Sequence, residues 1–116
     1  MPFGTPGGDT QVQAMAQVFL NIMLFGHLPQ DAVDAARFIT YSFPSSVEPH
    51  AYEPGRVSLE ASIGEAVGLE LVARGHRVDW VPDWSPATAG VCCIRADGGV
   101  LEGATDPRRS GSVVGW

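Results

Sequence analysis

The sequence predicts an α+β fold, a layered arrangement of about three helices on a mixed or antiparallel sheet. Three observations predict it. Helical and strand-like periodicities interleave along the 116 residues. The stretch Asp97-Gly98-Gly99 between two apolar runs is a hairpin signal, so at least one strand pair is antiparallel. No internal repeat or low-complexity linker interrupts the pattern, so residues 1–116 read as a single domain or a fragment of one.

The first helix is expected from Thr10. Thr10-x-x-Gln13 fits a capping box, with Asp9 as an alternative cap. Val12, Met15, Ala16, Phe19, Ile22 and Met23 recur at helical spacing, and Val18, Leu20 and Leu24 are apolar too, which predicts a broad buried face. Gly26 suits the end of that helix. A second helix opens at Pro29, carries Asp31 and Asp34, and is expected to close near Arg37. Phe38 to Phe43 reads as extended chain halted by Pro44. The Pro-rich residues 44–56 read as a surface loop, with His50 and Tyr52 as solvent-facing residues rather than ligand contacts.

Val57-Ser58-Leu59-Glu60 alternates like a half-buried strand. Ser62-x-x-Glu65 is a second capping-box pattern, opening a helix from Ile63 to about Arg74 with Ile63, Ala66, Val67, Leu71 and Val72 as its core face. Gly68 weakens its middle by about 1 kcal/mol relative to Ala. Gly75 ends it, and His76 and Arg77 suit its negative end. Strands are then expected at Val78 to Val81, Gly90 to Ala96, Val100 to Gly103 and Gly111 to Trp116.

Composition narrows the function. A formal net charge of −6, with no basic stripe, argues against nucleic acid as a partner. All seven basic residues are Arg. No apolar run is long enough for a membrane span, and Met-Pro-Phe-Gly does not open a signal peptide. Cys92 and Cys93 should face opposite sides of a strand and read as small apolar residues, not as a disulfide or a metal site. No metal or cofactor is expected.

The stretch from Phe3 to Gln11 organises the chain. Its Pro6-Gly7-Gly8 turn runs into the first helix, whose positive end favours negative charge. Gly7 and Gly8 let a ligand approach the backbone, and their N–H groups could face an anion or a developing oxyanion. A Pro-Gly-Gly turn is also, commonly, only a turn. Asp106 and Arg108 read as an Asp-Pro turn whose ion pair pins the last strand, in preference to a catalytic pair. Arg37 reads as a buried-edge residue pairing with a carboxylate or carbonyls, in preference to a substrate clamp.

Several motifs together resemble the gamma-glutamyltransferase (gamma-glutamyltranspeptidase) family. They are Thr5-Pro6-Gly7-Gly8-Asp9; Phe25-Gly26 with Pro29-Gln30-Asp31-Ala32 and Asp34-Ala35-Ala36-Arg37-Phe38; and Val57-Ser58-Leu59-Glu60. Leu71-x-x-Arg74-Gly75-His76-Arg77-Val78, Gly103-Ala104-Thr105-Asp106-Pro107-Arg108-Arg109 and Val114-Gly115-Trp116 complete them. They fall in the family's order and run almost end to end. The resemblance implies part of an N-terminal-nucleophile hydrolase with an αββα sandwich, namely the C-terminal portion of its small subunit. In such enzymes a precursor cuts itself, and the new N-terminal Thr attacks a gamma-glutamyl or related amide and passes the acyl group to water or an amine. The family's paired oxyanion-hole glycines map onto Gly7 and Gly8.

Two departures qualify what the resemblance implies. The family's nucleophile lies well upstream of the Pro-Gly-Gly turn, whereas only six residues precede Gly7 here, and removal of Met1 would expose Pro2. The chain by itself is therefore expected to be inactive. Asp9-Thr10-Gln11 also departs from the glutathione-processing pattern, which leaves the gamma-glutamyl specificity open. The expected partners are the large subunit and the rest of the small subunit, or a second copy of the chain, because half a sandwich exposes apolar surface. The other reading is a non-catalytic α/β remnant that packs on a partner or binds a small anion at Gly7 and Gly8.

Overall fold

The computed structural model describes residues 1–115 and contains two compact units. The first is Met1–Ala35 together with the described residues from Pro86 onward; the second is Ala36–Ser85. Both are α+β, and the described residues form three α-helices and two three-stranded sheets.

In the first unit, β1 (Phe3–Gly4), β5 (Cys92–Asp97) and β6 (Val100–Ala104) form an antiparallel sheet in the order β1-β5-β6. The hairpin forms as expected. Asp97 pairs with Val100, and Gly98 and Gly99 turn between them at φ +55° and +83°, the two positive angles that a two-residue type I′ turn needs. β1 was not anticipated: the opening stretch begins as a short edge strand, Phe3 opposite Cys93, before it becomes a turn.

Helix α1 (Thr10–Met23) and helix α2 (Pro29–Asp34) belong to this unit. Ala14, Val18 and Ile22, at four-residue spacing, join Ala32 and Val33 of α2 and Val91, Cys93 and Ala104 of the sheet region in one core. The broad buried face expected for α1 is corrected to this narrow stripe. Val12, Phe19, Leu20, Met23 and Leu24 are exposed. The capping-box expectation is corrected as well. Asp9 is the N-cap but makes no side-chain cap bond, and the Thr10 hydroxyl donates to the Gly7 carbonyl at 2.8 Å. α2 ends at Asp34, short of Arg37.

The strand expected from Gly111 to Trp116 does not form over residues 111–115; Trp116 lies outside the described residues. Val113 instead lies over Gly103 of β6, where an added Cβ would sit 2.5 Å from Val113 Cγ1. A segment that crosses the face of a sheet cannot also pair with its edge.

The second unit has the sheet order β2-β3-β4, with β2 at Phe38–Thr40, β3 at Arg56–Glu60 and β4 at Arg77–Val81. β2 and β3 are antiparallel, β3 and β4 parallel. A parallel pair needs a crossover, which here carries helix α3 (Glu65–Ala73). β3 is the central strand, and its residues from Val57 to Glu60 are buried on both faces, not one. The Ser62–Glu65 capping box is also corrected. Ala61–Ile63 is a 3-10 turn, Gly64 is the N-cap, and the Ser62 N–H donates to Asp83 Oδ1 at 2.8 Å.

The expected core face of α3 is mostly exposed, Ala66, Val67 and Val72 included, and its buried residue is Gly68. At Gly68 the Trp80 ring of β4 occupies the space a Cβ would need. Gly75, at φ +93°, ends the helix in a Schellman arrangement, with the His76 N–H on the Leu71 carbonyl (3.0 Å) and the Gly75 N–H on the Val72 carbonyl (2.9 Å). No helix among the described residues is long and apolar enough to cross a membrane.

Candidate functional site

The Gly7-Gly8 turn is built from both ends of the first unit's sequence. Thr5 sits just before it, and its hydroxyl accepts the Gly90 N–H at 2.9 Å and donates to the Pro6 carbonyl at 2.7 Å. That anchors the turn beside the segment leading into β5. On its other side the turn feeds α1 directly. The Thr10 and Gln11 N–H groups donate to the Gly7 and Gly8 carbonyls, both at 3.1 Å. These bonds consume the carbonyls and leave the glycine amides. Among the described residues neither the Gly7 nor the Gly8 N–H donates a hydrogen bond.

The two glycines are not equivalent. Gly7, at φ +137°, is half-buried, and a Cβ there would sit 2.6 Å from Thr10 Oγ1 and 3.2 Å from Ala89 Cβ. Gly8, at φ +56°, is exposed, and an added Cβ would meet nothing within 4 Å. Gly7 is required by close approach and backbone angle, Gly8 by backbone angle alone. The arrangement offers two unused N–H donors at the positive end of a 14-residue helix with an open outer side, which is suited to an anion or an oxyanion.

Asp106 and Arg108 form a different assembly, fully enclosed in the first unit. Their side chains pair at 3.0 Å. Asp106 Oδ2 accepts the Val91 N–H at 2.8 Å, and Oδ1 accepts the Arg108 N–H at 3.0 Å. The Arg108 guanidinium donates to the carbonyls of Val33 (2.7 Å) and Ala35 (2.9 Å) and to Thr88 Oγ1 (3.0 Å). The pair therefore pins the end of α2 and the entry to β5, not a last strand. The unused carbonyls of a helix C-terminus draw a cation in just this way.

Arg37 lies in the second unit, buried at the start of β2 rather than at a helix end. Its N–H donates to Glu60 Oε2 at 3.0 Å, and its carbonyl accepts the Glu60 N–H at 3.0 Å. Glu60 is fully buried and also accepts the Ser85 N–H at 3.2 Å through Oε1. Sequence reading missed Glu60 as an anchor and Thr5 as the clamp on the glycine turn. Both bond to residues distant in sequence, and neither spacing carries a signal.

His50 and Tyr52 are exposed, as expected of that loop. Cys92 is exposed and Cys93 buried, as strand alternation requires. Burial pushes the Cys93 thiol above its ordinary value, with a smaller contribution from Cys92. A hollow of about 460 Å³ lies beside these cysteines, lined in part by Phe3, Ile94, Thr105 and Val113. Cys92 Sγ lies 3.6 Å from Thr105 Oγ1 there, but no base stands beside either group in that lining. Among the described residues no cluster of three or more His, Cys, Asp or Glu could hold a metal ion.

Known proteins resemble this chain. The family model described as gamma-glutamyltranspeptidase matches residues 1–116. The chain is 31% identical over 120 residues to the oxamate amidohydrolase proenzyme of Klebsiella pneumoniae subsp. pneumoniae, covering 100% of this chain and 21% of that protein. Among solved structures it is similar to a cephalosporin acylase from Bacillus halodurans, with 34% identity, 99% of this chain and 20% of that one covered, and a TM-score of 0.82. It is also similar to gamma-glutamyltranspeptidase from Pseudomonas nitroreducens complexed with L-DON, with 27% identity, 98% and 54% covered, and a TM-score of 0.76. The chain spans about a fifth of the length of the curated relatives it matches. Its α+β architecture is thus part of an N-terminal-nucleophile hydrolase fold, and the chain belongs to the gamma-glutamyltranspeptidase family.

Proposed function

We propose that this chain is the C-terminal portion of the small subunit of a gamma-glutamyltranspeptidase-like enzyme, in which Gly7 and Gly8 supply the oxyanion-hole N–H groups. The nucleophile is an N-terminal Thr contributed by polypeptide beyond these residues. Its hydroxyl attacks the amide carbonyl of the substrate, the amine leaves carrying the transferred proton, and the resulting ester is cleaved by water or an amine. In each addition step negative charge gathers on the carbonyl oxygen, and the role of Gly7 and Gly8 is to meet it.

The observation that carries this reading is the pair of N–H groups left unused at the start of α1 on a turn whose carbonyls are both engaged. The named relatives act on different acyl groups, as their names state: oxamate, a cephalosporin and a gamma-glutamyl group. The shared feature is acyl transfer, so the substrate class proposed here is a gamma-glutamyl or other small amide.

The test must delete one N–H and nothing else. Proline at position 8 fails this requirement, because its ring fixes φ near −65° and Gly8 sits at +56°. Glycolic acid at position 8, introduced in the enzyme that contains this chain, converts the amide to an ester and keeps the backbone angle. The acylation rate should fall by about 10²–10³. An unchanged rate with the fold intact removes Gly8 from the oxyanion hole.

A further inference from the structure

We infer that the hydroxyls of Thr5 and Thr10 are positioning groups for the oxyanion donors, Thr5 aiming the Gly7 N–H and Thr10 aiming the Gly8 N–H. This rests on the oxyanion role proposed for the two glycines.

Glycine is the residue least able to hold its own backbone direction. An oxyanion hole needs the opposite, donors fixed before the charge arrives. The peptide plane supplies the link. Each N–H shares a rigid plane with the carbonyl of the preceding residue and points the opposite way in a trans peptide. The peptides ahead of Gly7 and Gly8 are both trans. Whatever fixes the Pro6 carbonyl therefore fixes the Gly7 N–H, and whatever fixes the Gly7 carbonyl fixes the Gly8 N–H.

A threonine hydroxyl does each. Thr5 Oγ1 donates to the Pro6 carbonyl at 2.7 Å. Thr10 Oγ1 donates to the Gly7 carbonyl at 2.8 Å, beside the Thr10 N–H at 3.1 Å. Thr5 is itself held, because its oxygen accepts the Gly90 N–H at 2.9 Å. Among the described residues no other hydrogen bond ties residues 5–8 to chain beyond residue 11. Gly90 is a fixed post for that bond. Its neighbours Thr88, Ala89 and Val91 are buried. Ala89 holds φ +66°, a left-handed angle that a residue with a Cβ keeps only where its surroundings dictate it. The dipoles of the Gly90 N–H, the Thr5 hydroxyl and the Pro6–Gly7 peptide follow one another head to tail, which polarises the Gly7 N–H at the end of the series.

The test is acylation kinetics of the whole enzyme carrying Thr5→Val or Thr10→Val, each alone and with glycolic acid at position 8. Valine keeps the shape and loses the hydroxyl. Either valine alone should lower the maximal acylation rate by about ten-fold with the half-saturating substrate concentration little changed, within the roughly 10²-fold that a displacement of about 1 Å can cost. Serine at the same position keeps the hydroxyl and should keep the rate. With the ester at position 8, Thr10→Val should cost little more, because the N–H that it aims is gone, whereas Thr5→Val should keep its full effect through Gly7. Alanine, which also lacks the hydroxyl, serves wherever valine does not fold. An unchanged rate in the valine variants, serine as slow as valine, or a Thr10→Val loss that is the same with and without the ester overturns the inference, while slowing by the ester alone leaves the oxyanion role standing. An ester without effect removes that role and the inference with it.

Discussion

Gly7 and Gly8 respond differently to the same methyl group. Alanine at position 7 must push against Thr10 Oγ1 and Ala89 Cβ while held at φ +137°, so about 1–3 kcal/mol of overpacking is added to its backbone strain. Alanine at position 8 meets open space and pays only for the left-handed backbone, about 1–2 kcal/mol. It keeps its N–H, so acylation should survive Gly8→Ala far better than the ester replacement; equal losses in the two variants would contradict a role for the N–H. Arg108 makes a second prediction. Arg108→Ala leaves Asp106 buried without its cation, and such breaks cost about 3–5 kcal/mol. Urea denaturation should show that loss, and a change below about 1 kcal/mol would show that the pair does not hold the unit together. Cys93 makes a third. Its folded thiol value is raised, so its contribution to stability is complete below the ordinary thiol value of about 8.5 and is lost as pH rises above it. Iodoacetamide near neutral pH should label exposed Cys92 and spare Cys93 until the chain unfolds; equal labelling of both in the folded chain would contradict the burial. The cysteine alternation and the glycine turn were legible because each depends on neighbours in sequence. Glu60 and Thr5 were not, because their partners Arg37 and Gly90 lie 23 and 85 residues away.

Periodicity located the elements better than it located their buried faces. The hairpin at Gly98-Gly99 and the helix from Thr10 came directly from turn chemistry and spacing. The faces of α1 and α3 were misread because spacing shows which side chains are apolar, not what covers them. α3 is the clearer case. Helix propensity alone says that alanine at Gly68 stabilises by about 1 kcal/mol. The Trp80 ring occupies the space for that methyl group, so Gly68→Ala should instead lower the melting temperature. Pairing it with Trp80→Leu should recover part of the loss, because a smaller side chain vacates the space. A Gly68→Ala variant more stable than the parent would show that Trp80 does not pack there. Both capping boxes failed for a related reason: at each helix start a neighbouring turn took the position. Thr10 turned back to Gly7, and Gly64 displaced Ser62.

At the scale of the molecule, the chain spans about a fifth of the length of the curated relatives it matches. The α+β class and the family were legible in the sequence because the motifs run in order through nearly all 116 residues. The proposed function places this chain inside a larger, self-cleaved enzyme. Intact-mass and N-terminal analysis of the protein from its native source decides whether it does. The predicted result is that these residues occur with, or within, a chain whose mature N-terminus is Thr. Isolation of the 116 residues alone, starting at Met1 or Pro2 and with no accompanying polypeptide, would contradict it and leave a non-catalytic remnant.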